Sequence, residues 1–185
     1  MFRVGSVWKA AKQAIAGAFV LAAAIGPAAA AQDSPDLISF GVGYFDVLRP
    51  DSKHDAGDFR LEYRFGNLLT PGWSDWLAIR PWIGGEITTQ RSAYGAGGLI
   101  FDIPLGAFTL SPGIGAGYYS MGNGKDMGSA IEFRSTAELS YRFENNSRIA
   151  LSFGHISNAG IGDLNPGAEI VTLYFHFPSR WLFGY

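Results

Sequence analysis

Three residues near the C-terminal end of the chain are of the types that form a hydrolytic triad. His155 and Ser157 are separated by a single residue, and Glu169 follows in the next apolar segment. A serine hydroxyl becomes a nucleophile when an imidazole takes its proton, and a carboxylate on the other ring nitrogen orients that imidazole. These residue types therefore predict hydrolysis of an ester, with Ser157 acylated and then released by a water that His155 activates.

The three residues lie in two segments, 147–157 and 169–177, whose apolar residues alternate with a period of two. His155 and Ser157 share the parity of the apolar residues of the first segment, Ile149, Leu151 and Phe153. Glu169 shares the parity of Val171, Leu173, Phe175 and Phe177. Residues two apart on a strand project from one face about 6.6 Å apart. An antiparallel hairpin would therefore bring Glu169 to the same apolar face as His155 and Ser157.

The same alternation predicts strands throughout the chain after residue 36. They fall near 37–48, 58–65, 77–89, 92–103, 107–121, 129–143, 147–157 and 169–177. An even number of strands, several of about ten residues, is what a small membrane barrel requires, because closing the sheet leaves no unpaired edge in lipid. The sequence thus predicts an all-β fold, an eight-stranded antiparallel transmembrane β-barrel of the outer membrane.

Charged residues occupy the positions opposite the apolar face in two of these strands. Arg60, Glu62 and Arg64 alternate with apolar residues in one strand, and Glu132, Arg134, Glu138 and Arg142 do so in another. We expect them to fill the interior as a packed polar core, together with His176. A soluble eight-stranded barrel would instead place the apolar face inside. The clustered charges and the aromatic residues near strand ends favour the membrane form.

The N-terminal segment has the pattern of a secretory signal peptide. Arg3, Lys9 and Lys12 precede an apolar run from Ala14 to Ile25, and small residues precede a cut after Ala30 or Ala31. The run is shorter than the roughly 20 apolar residues that span a bilayer. We therefore expect residues 1–31 to be a signal peptide, residues 32–185 to form the barrel with a catalytic hairpin at 147–177, and the protein to reach the cell outer membrane.

Charge and cysteine usage exclude several classes of function. Without the three basic residues of the signal segment, 11 Lys and Arg remain against 16 Asp and Glu, a net charge of −5. That balance argues against nucleic acid as a partner. The absence of cysteine excludes a disulfide framework and a thiolate nucleophile or metal site. The acidic residues around the first loop do not match a calcium-loop pattern. We expect no metal and no cofactor.

Three long connections, 49–57, 122–128 and 158–168, should lie at one end of the barrel, because the strands before them run in the same direction. The last of them follows Ser157 directly. The oxyanion formed on an attacked ester needs fixed donors, and Asn158, Asn165 and the backbone around Ala159–Gly160 are near enough to supply them. Ordinary turn chemistry of an Asn/Gly-rich loop stays open as the alternative.

The segment "HISNAGIGDLNPGAE" resembles the C-terminal motif of the PagL family of lipid A 3-O-deacylases. The matching residues are His155, Ser157, Asn158, Gly160, Asn165-Pro166-Gly167 and Glu169. The resemblance implies an outer-membrane barrel that hydrolyses the ester-linked 3-hydroxyacyl chain at position 3 of lipid A without a metal. It implies Ser157 as nucleophile, His155 as base and Glu169 as its partner, with Asn158 and Gly160 at the oxyanion site. Lipopolysaccharide would be the substrate, and a homodimer stays open.

Two other functions compete with this interpretation. A non-catalytic small outer-membrane barrel with structural or adhesive loops would share the strand pattern, but it has no reason to place His, Ser and Glu together on the lipid face. A different lipid acyl enzyme, such as a palmitoyltransferase, would also fit the fold. The motif spacing disfavours that class.

Overall fold

The computed structural model describes residues 35–49, 55–66, 69 and 76–184. The predicted signal peptide lies outside these residues, as do most of the 66–76 connection and part of the first loop. The strands are β1 (Leu37–Phe45), β2 (Ala56–Arg64), β3 (Ala78–Thr88), β4 (Ala93–Leu105), β5 (Phe108–Ser120), β6 (Ile131–Arg142), β7 (Arg148–Ser157) and β8 (Ala168–Pro178).

Every strand pairs antiparallel with its neighbour in sequence, and β1 also pairs antiparallel with β8. The result is a closed barrel in the order β1 to β8. The predicted eight-stranded antiparallel barrel is therefore confirmed, with strand ends close to those expected. The connections β1–β2, β3–β4, β5–β6 and β7–β8 lie at one end of the barrel, which we call the loop end.

The outside of the barrel is apolar. Phe40, Val42, Phe59, Leu61 and Ile83 are among the exposed large hydrophobic residues, and they alternate with buried neighbours along their strands. A soluble barrel would bury this face in its interior, so the structure has the inverted polarity that a lipid environment requires.

The inside carries a network of buried ion pairs. Arg64 contacts Glu138 at 2.8 Å and Glu62 at 3.0 Å, and Arg134 contacts Glu62 at 2.6 Å. Nearer the end of the barrel that is opposite to the loop end, Asp102 contacts Arg148 at 2.8 Å and Arg80 at 3.2 Å. These pairs confirm the expected packed polar interior, because each of these residues has an opposite charge within hydrogen-bond range.

Two members of the expected network do not join it. Neither carboxylate oxygen of Glu132 has a hydrogen-bond partner among the described residues, although the residue is buried. Arg142 is half-buried at the end of β6, beside Arg148, and has no ion pair within the described part of the chain. Strand parity correctly predicts that Glu132 points inward, but partner choice depends on which side chains the barrel brings across the lumen.

His176 lies in the interior, as predicted. Its Nδ1 is 2.8 Å from the Ser39 hydroxyl and its Nε2 is 3.2 Å from Glu138. The ring also stacks on Tyr174, with 5.4 Å between centroids. His176 is thus a packed core residue on the face of β8 opposite to that of Glu169.

The polar interior gives way to an apolar cluster of buried side chains, which includes residues near the loop end. Its members include Phe45, Tyr94, Tyr119, Met127, Ile156, Ala168 and Ile170. Met127 belongs to the β5–β6 loop, and the other six lie on strands. We call this cluster the apolar plug. It includes the inward neighbours of His155 and Glu169.

After β8 the chain forms one short helix, α1 (Arg180–Phe183), which the alternation pattern did not predict. Trp181 contacts Phe177 of β8, with 6.0 Å between ring centroids. Among the described residues, no helix has the length and apolar character needed to cross a membrane.

Candidate active site

His155 and Glu169 are direct cross-strand partners on β7 and β8. The Nδ1 atom of His155 lies 3.2 Å from Oε1 of Glu169. The His155 side chain is 43% exposed and that of Glu169 is 21% exposed. The predicted outward placement of both residues is therefore observed, and the strand register makes them cross-strand neighbours.

The Glu169 contact determines what the imidazole can do. A carboxylate only accepts hydrogen bonds, so Nδ1 carries the hydrogen and Nε2 of a neutral ring is left with a free lone pair. Nε2 is therefore the atom that can take a proton from a nearby hydroxyl. Ser157 is two residues further along β7 on the same face, where it pairs with Phe133 of β6.

The chain turns sharply directly after Ser157. Ala159 and Gly160 have positive φ values of 54° and 81°, and the Ile161 N–H donates to the Asn158 carbonyl at 3.1 Å. Two consecutive positive φ values with this bond are the pattern of a tight type I′ turn. The turn folds the β7–β8 loop back over the end of the hairpin.

The Asn158 side chain holds this loop together. It is fully buried, and its Nδ2 group donates to the carbonyls of Met127 at 2.8 Å and Leu164 at 2.6 Å. Its Oδ1 accepts the Gly160 N–H at 2.9 Å. Both amide hydrogens of Asn158 therefore bind loop carbonyls, and a contribution to an oxyanion site would require one of them to be released.

Asn165 makes a different set of contacts. Its Oδ1 accepts the Asn158 backbone N–H at 3.1 Å, while the residue itself is exposed. This bond fixes the side chain one residue from Ser157. The Asn158 amide hydrogens bind the Met127 and Leu164 carbonyls, whereas the Asn165 amide hydrogens bind neither of these carbonyls. Of the two predicted side-chain donors, Asn165 is therefore the better placed to donate to an oxyanion.

Gly167 brings the end of the same loop against the His155 imidazole. The residue has φ 59°, and a Cβ placed on it would lie 2.8 Å from Cε1 of His155 and 3.4 Å from Nε2. Only a residue without a side chain fits this approach, and a left-handed backbone also favours glycine. The Asn165-Pro166-Gly167 sequence therefore delivers the chain to β8 beside His155.

A groove on the outer surface begins at His155 and Ser157. It has a volume of about 470 Å³ and extends over β6, β5 and β4. One row of paired residues along it is Ser157, Phe133, Ala116 and Gly97, and the next row is His155, Ser135, Ile114 and Leu99. A second hollow of about 260 Å³, lined by Ala137 and Phe153, also borders His155.

The groove was not predicted from the sequence, although a signal for it exists. Gly97, Ala116 and Ser135 are small residues at outward positions, where a lipid-facing strand ordinarily carries large apolar side chains. Their small size lowers the surface between the ridges of Phe133, Ile114 and Leu99. The lining is mostly apolar, apart from Ser135, Ser157, His155 and Arg134, and it suits a hydrocarbon chain.

No group of three His, Cys, Asp or Glu side chains in the described ranges is placed to hold a metal ion.

The fold and site together define a class of protein, a small membrane-type β-barrel with a His–Glu pair and a serine on its outer face. The family model for lipid A 3-O-deacylase (PagL) matches residues 57–178. The chain belongs to this family, which confirms the resemblance seen in the C-terminal motif.

Two known proteins are similar to this chain. The lipid A deacylase PagL of Bordetella bronchiseptica (strain ATCC BAA-588 / NCTC 13252 / RB50) is 38% identical over 72 residues, which is 38% of this chain and 40% of that relative. The match thus spans well under half of the relative's length. The crystal structure of the outer membrane enzyme PagL matches with a TM-score of 0.61 at 20% identity, over 77% of this chain and 99% of that one. This second likeness supports the barrel fold.

Proposed function

We propose that this protein is an outer-membrane lipid A 3-O-deacylase in which Ser157 is the nucleophile, His155 the general base and Glu169 the residue that orients His155. The observation that carries the proposal is the His155–Glu169 hydrogen bond on the outward face of the barrel, with Ser157 on the same face and both β7 residues opening onto an apolar groove. The Bordetella bronchiseptica relative is named a lipid A deacylase.

In the first step, Nε2 of His155 takes the Ser157 proton as the hydroxyl oxygen attacks the carbonyl carbon of the ester. The ester C–O bond then breaks, and His155 returns the proton to the departing sugar oxygen. The products of this step are lipid A with a free 3-hydroxyl group and a 3-hydroxyacyl ester on Ser157. Glu169 keeps the ring in the required tautomer and stabilises the imidazolium that forms.

In the second step, His155 deprotonates a water that attacks the acyl-serine. The bond between the acyl carbon and the Ser157 oxygen breaks, Ser157 regains its proton from His155, and a 3-hydroxy fatty acid leaves. No redox partner or metal enters this balance. The negative charge that develops on the carbonyl oxygen in both steps needs donors, for which we propose the turn after Ser157 and the Asn165 amide.

The position of the site on the outer surface suits a substrate that is itself a membrane lipid. An ester in the upper part of the bilayer can reach Ser157 sideways, while its acyl chain lies along the groove over β6, β5 and β4. A charged side chain such as Arg or Lys on the lipid face costs about 2–4 kcal/mol at the bilayer midplane and much less near its edge, and Glu costs less than these. The location of the triad at the loop end of β7 and β8 keeps this cost small.

The proposal includes the cellular location. The exposed apolar belt requires a bilayer, and residues 1–31 would direct export to the outer membrane before removal. With the start of β1 and the end of β8 on the inner side of the membrane, the loop end and the triad would face the outer leaflet, where lipid A resides.

Mass spectrometry of lipid A from cells expressing the protein tests this function. We expect wild type to remove the 3-hydroxyacyl chain at position 3 and Ser157→Ala to leave it in place. Ser120→Ala is the matched control, because Ser120 is an exposed outward serine at the loop end of β5. Intact lipid A from the wild-type strain would refute the deacylase function, whereas equal removal by Ser157→Ala would refute the role of Ser157 and leave the activity standing.

A further inference from the structure

Lys125 of the β5–β6 loop is a buried lysine with three hydrogen-bond acceptors. Its Nζ atom lies 2.8 Å from each carboxylate oxygen of Asp46 and 2.6 Å from the Gly167 carbonyl oxygen. The side chains of Lys125 and Asp46 are 7% and 0% exposed. All three hydrogens of the ammonium group can therefore be satisfied inside the protein.

The three partners come from three different connections of the loop end. Asp46 is the first residue after β1, Lys125 lies between β5 and β6, and Gly167 is the last residue before β8. A single ammonium group thus joins segments that are distant in sequence. We call Lys125, Asp46 and Gly167 the loop clamp.

Both acceptors of the loop clamp lead directly to catalytic residues. Gly167 packs against the His155 ring, as the short Cβ distances show. Next to Asp46, the Val47 N–H donates to the Glu169 carbonyl oxygen at 2.9 Å. One side of the loop clamp therefore borders the base, and the other holds the backbone of the residue that orients the base.

Neighbouring residues hold the Lys125 segment in place. The Tyr119 hydroxyl donates to the Lys125 carbonyl at 2.9 Å, and two residues later Met127 belongs to the apolar plug. The Met127 carbonyl accepts the Asn158 amide. These contacts connect the loop clamp to the residue that immediately follows Ser157.

The energetics of burial point away from a purely stabilising role. Removing two charges from water costs several kcal/mol per ion, so a buried ion pair is often no more stabilising than apolar side chains of similar volume. The apolar plug lies close by and could have continued through this position. An apolar side chain cannot donate the directed hydrogen bonds that join three segments of the chain at one fixed point.

We propose that Lys125 is a positioning residue for the deacylase reaction, acting through Asp46 and Gly167 to hold His155 and Glu169 in their reactive arrangement. The inference rests on the proposed function of the triad. Misplacing a reacting group by about 1 Å can cost on the order of 100-fold in rate. Loss of the loop clamp should therefore lower kcat and leave substrate binding in the groove largely intact.

The test compares purified full-length Lys125→Met with the double variant Lys125→Met/Asp46→Asn, using lipid A in detergent micelles as substrate. The single variant removes the cation that faces the buried Asp46 carboxylate, which destabilises the fold. The double variant also removes the carboxylate charge, and asparagine tolerates the positive φ of residue 46. We expect the double variant to melt near the wild-type temperature, with kcat at least about tenfold lower and KM within about twofold of wild type.

Arg80→Met is the matched control, because it removes a buried cation paired with Asp102 near the opposite end of the barrel. We expect it to lower the melting temperature with little change in kcat of the folded protein. Amide hydrogen exchange adds a readout that does not depend on activity: the Val47 N–H should lose protection in both Lys125 variants and keep it in Arg80→Met.

Two results separate failure of the loop clamp from failure of the function. Wild-type kcat in both Lys125 variants, alongside an inactive Ser157→Ala, would overturn the loop clamp alone. Full deacylation by Ser157→Ala would overturn the proposed triad, and with it the assignment of Lys125 as a residue that positions that triad.

Discussion

Gly167 and His155 are so close that the loop before β8 has no room for a single methyl group beside the imidazole. A Cβ at residue 167 would lie 2.8 Å from the ring carbon Cε1. The Nδ1 atom of the ring contacts the Glu169 carboxylate. His155 is therefore fixed by the Glu169 carboxylate and by the Gly167 backbone, and we expect a side chain at residue 167 to displace the ring or the loop.

Gly167→Ala should lower kcat at least about tenfold, because the new methyl group must displace either the loop or His155. Its left-handed backbone also costs about 1–2 kcal/mol for a residue with a side chain. Gly184→Ala is the control, since Gly184 has φ 73° but open space around it. The measurement is kcat of both variants with the melting temperature of each. Unchanged kcat in Gly167→Ala would show that the contact does not hold the ring in its working position.

Glu169→Gln should retain a reduced activity, and His155→Ala should abolish it. An amide can still contact Nδ1 but no longer carries the charge that stabilises the imidazolium, whereas alanine removes the base altogether. Glu144→Gln, in the exposed turn between β6 and β7, serves as control for loss of a carboxylate. The rate of fatty-acid release by each variant checks the order. Equal rates in the Glu169 and His155 variants would contradict the separate roles.

Ala116→Leu should shorten the acyl chain that the groove accepts. Ala116 lies one strand beyond Phe133 in the row that starts at Ser157, and a leucine there would raise the groove floor. We expect kcat/KM to fall several-fold for lipid A with a long 3-acyl chain and to change little for a short one. Val42→Leu, an outward substitution on β1, should affect neither substrate. A uniform loss for all chain lengths would place the acyl chain elsewhere.

Asn158→Ala and Asn165→Ala should separate loop structure from transition-state stabilisation. Removing the buried Asn158 amide leaves two loop carbonyls and the Gly160 N–H without this partner. A buried group left unsatisfied, as the Met127 carbonyl would be, costs about 1–3 kcal/mol. Asn165→Ala loses one bond at an exposed position. We expect a large fall in melting temperature only for Asn158→Ala, and a fall in kcat without a comparable fall in stability for Asn165→Ala.

The features that could be predicted from the sequence are those that follow from the two-residue alternation of side chains along a strand. Parity alone correctly places His155, Ser157 and Glu169 outside and His176 inside, because a strand offers each residue only two faces. Hairpin connection then makes His155 and Glu169 cross-strand neighbours. The strand count followed from the same alternation, although β1 ends at Phe45 because Asp46 turns with φ 59°.

Contacts between loops were beyond reach of the sequence. Lys125 and Asp46 are 79 positions apart, and nothing in the alternation links them. Glu132 and Arg134 lie on the same strand and both point inward, yet only Arg134 has an oppositely charged partner across the lumen among the described residues. The groove depends on which small residues line up across β4, β5 and β6, and this requires the register of three strand pairs.

The apolar plug has a consequence for the supply of water to the reaction. Ile156 and Ala168, the inward neighbours of His155 and Glu169, are completely buried within it, together with Ile170. Hydrocarbon side chains packed in this way offer water no hydrogen-bond partners. In the proposed mechanism, the water that releases the acyl chain from Ser157 therefore arrives from the hydrated headgroup layer above the bilayer, and the polar lumen does not supply it.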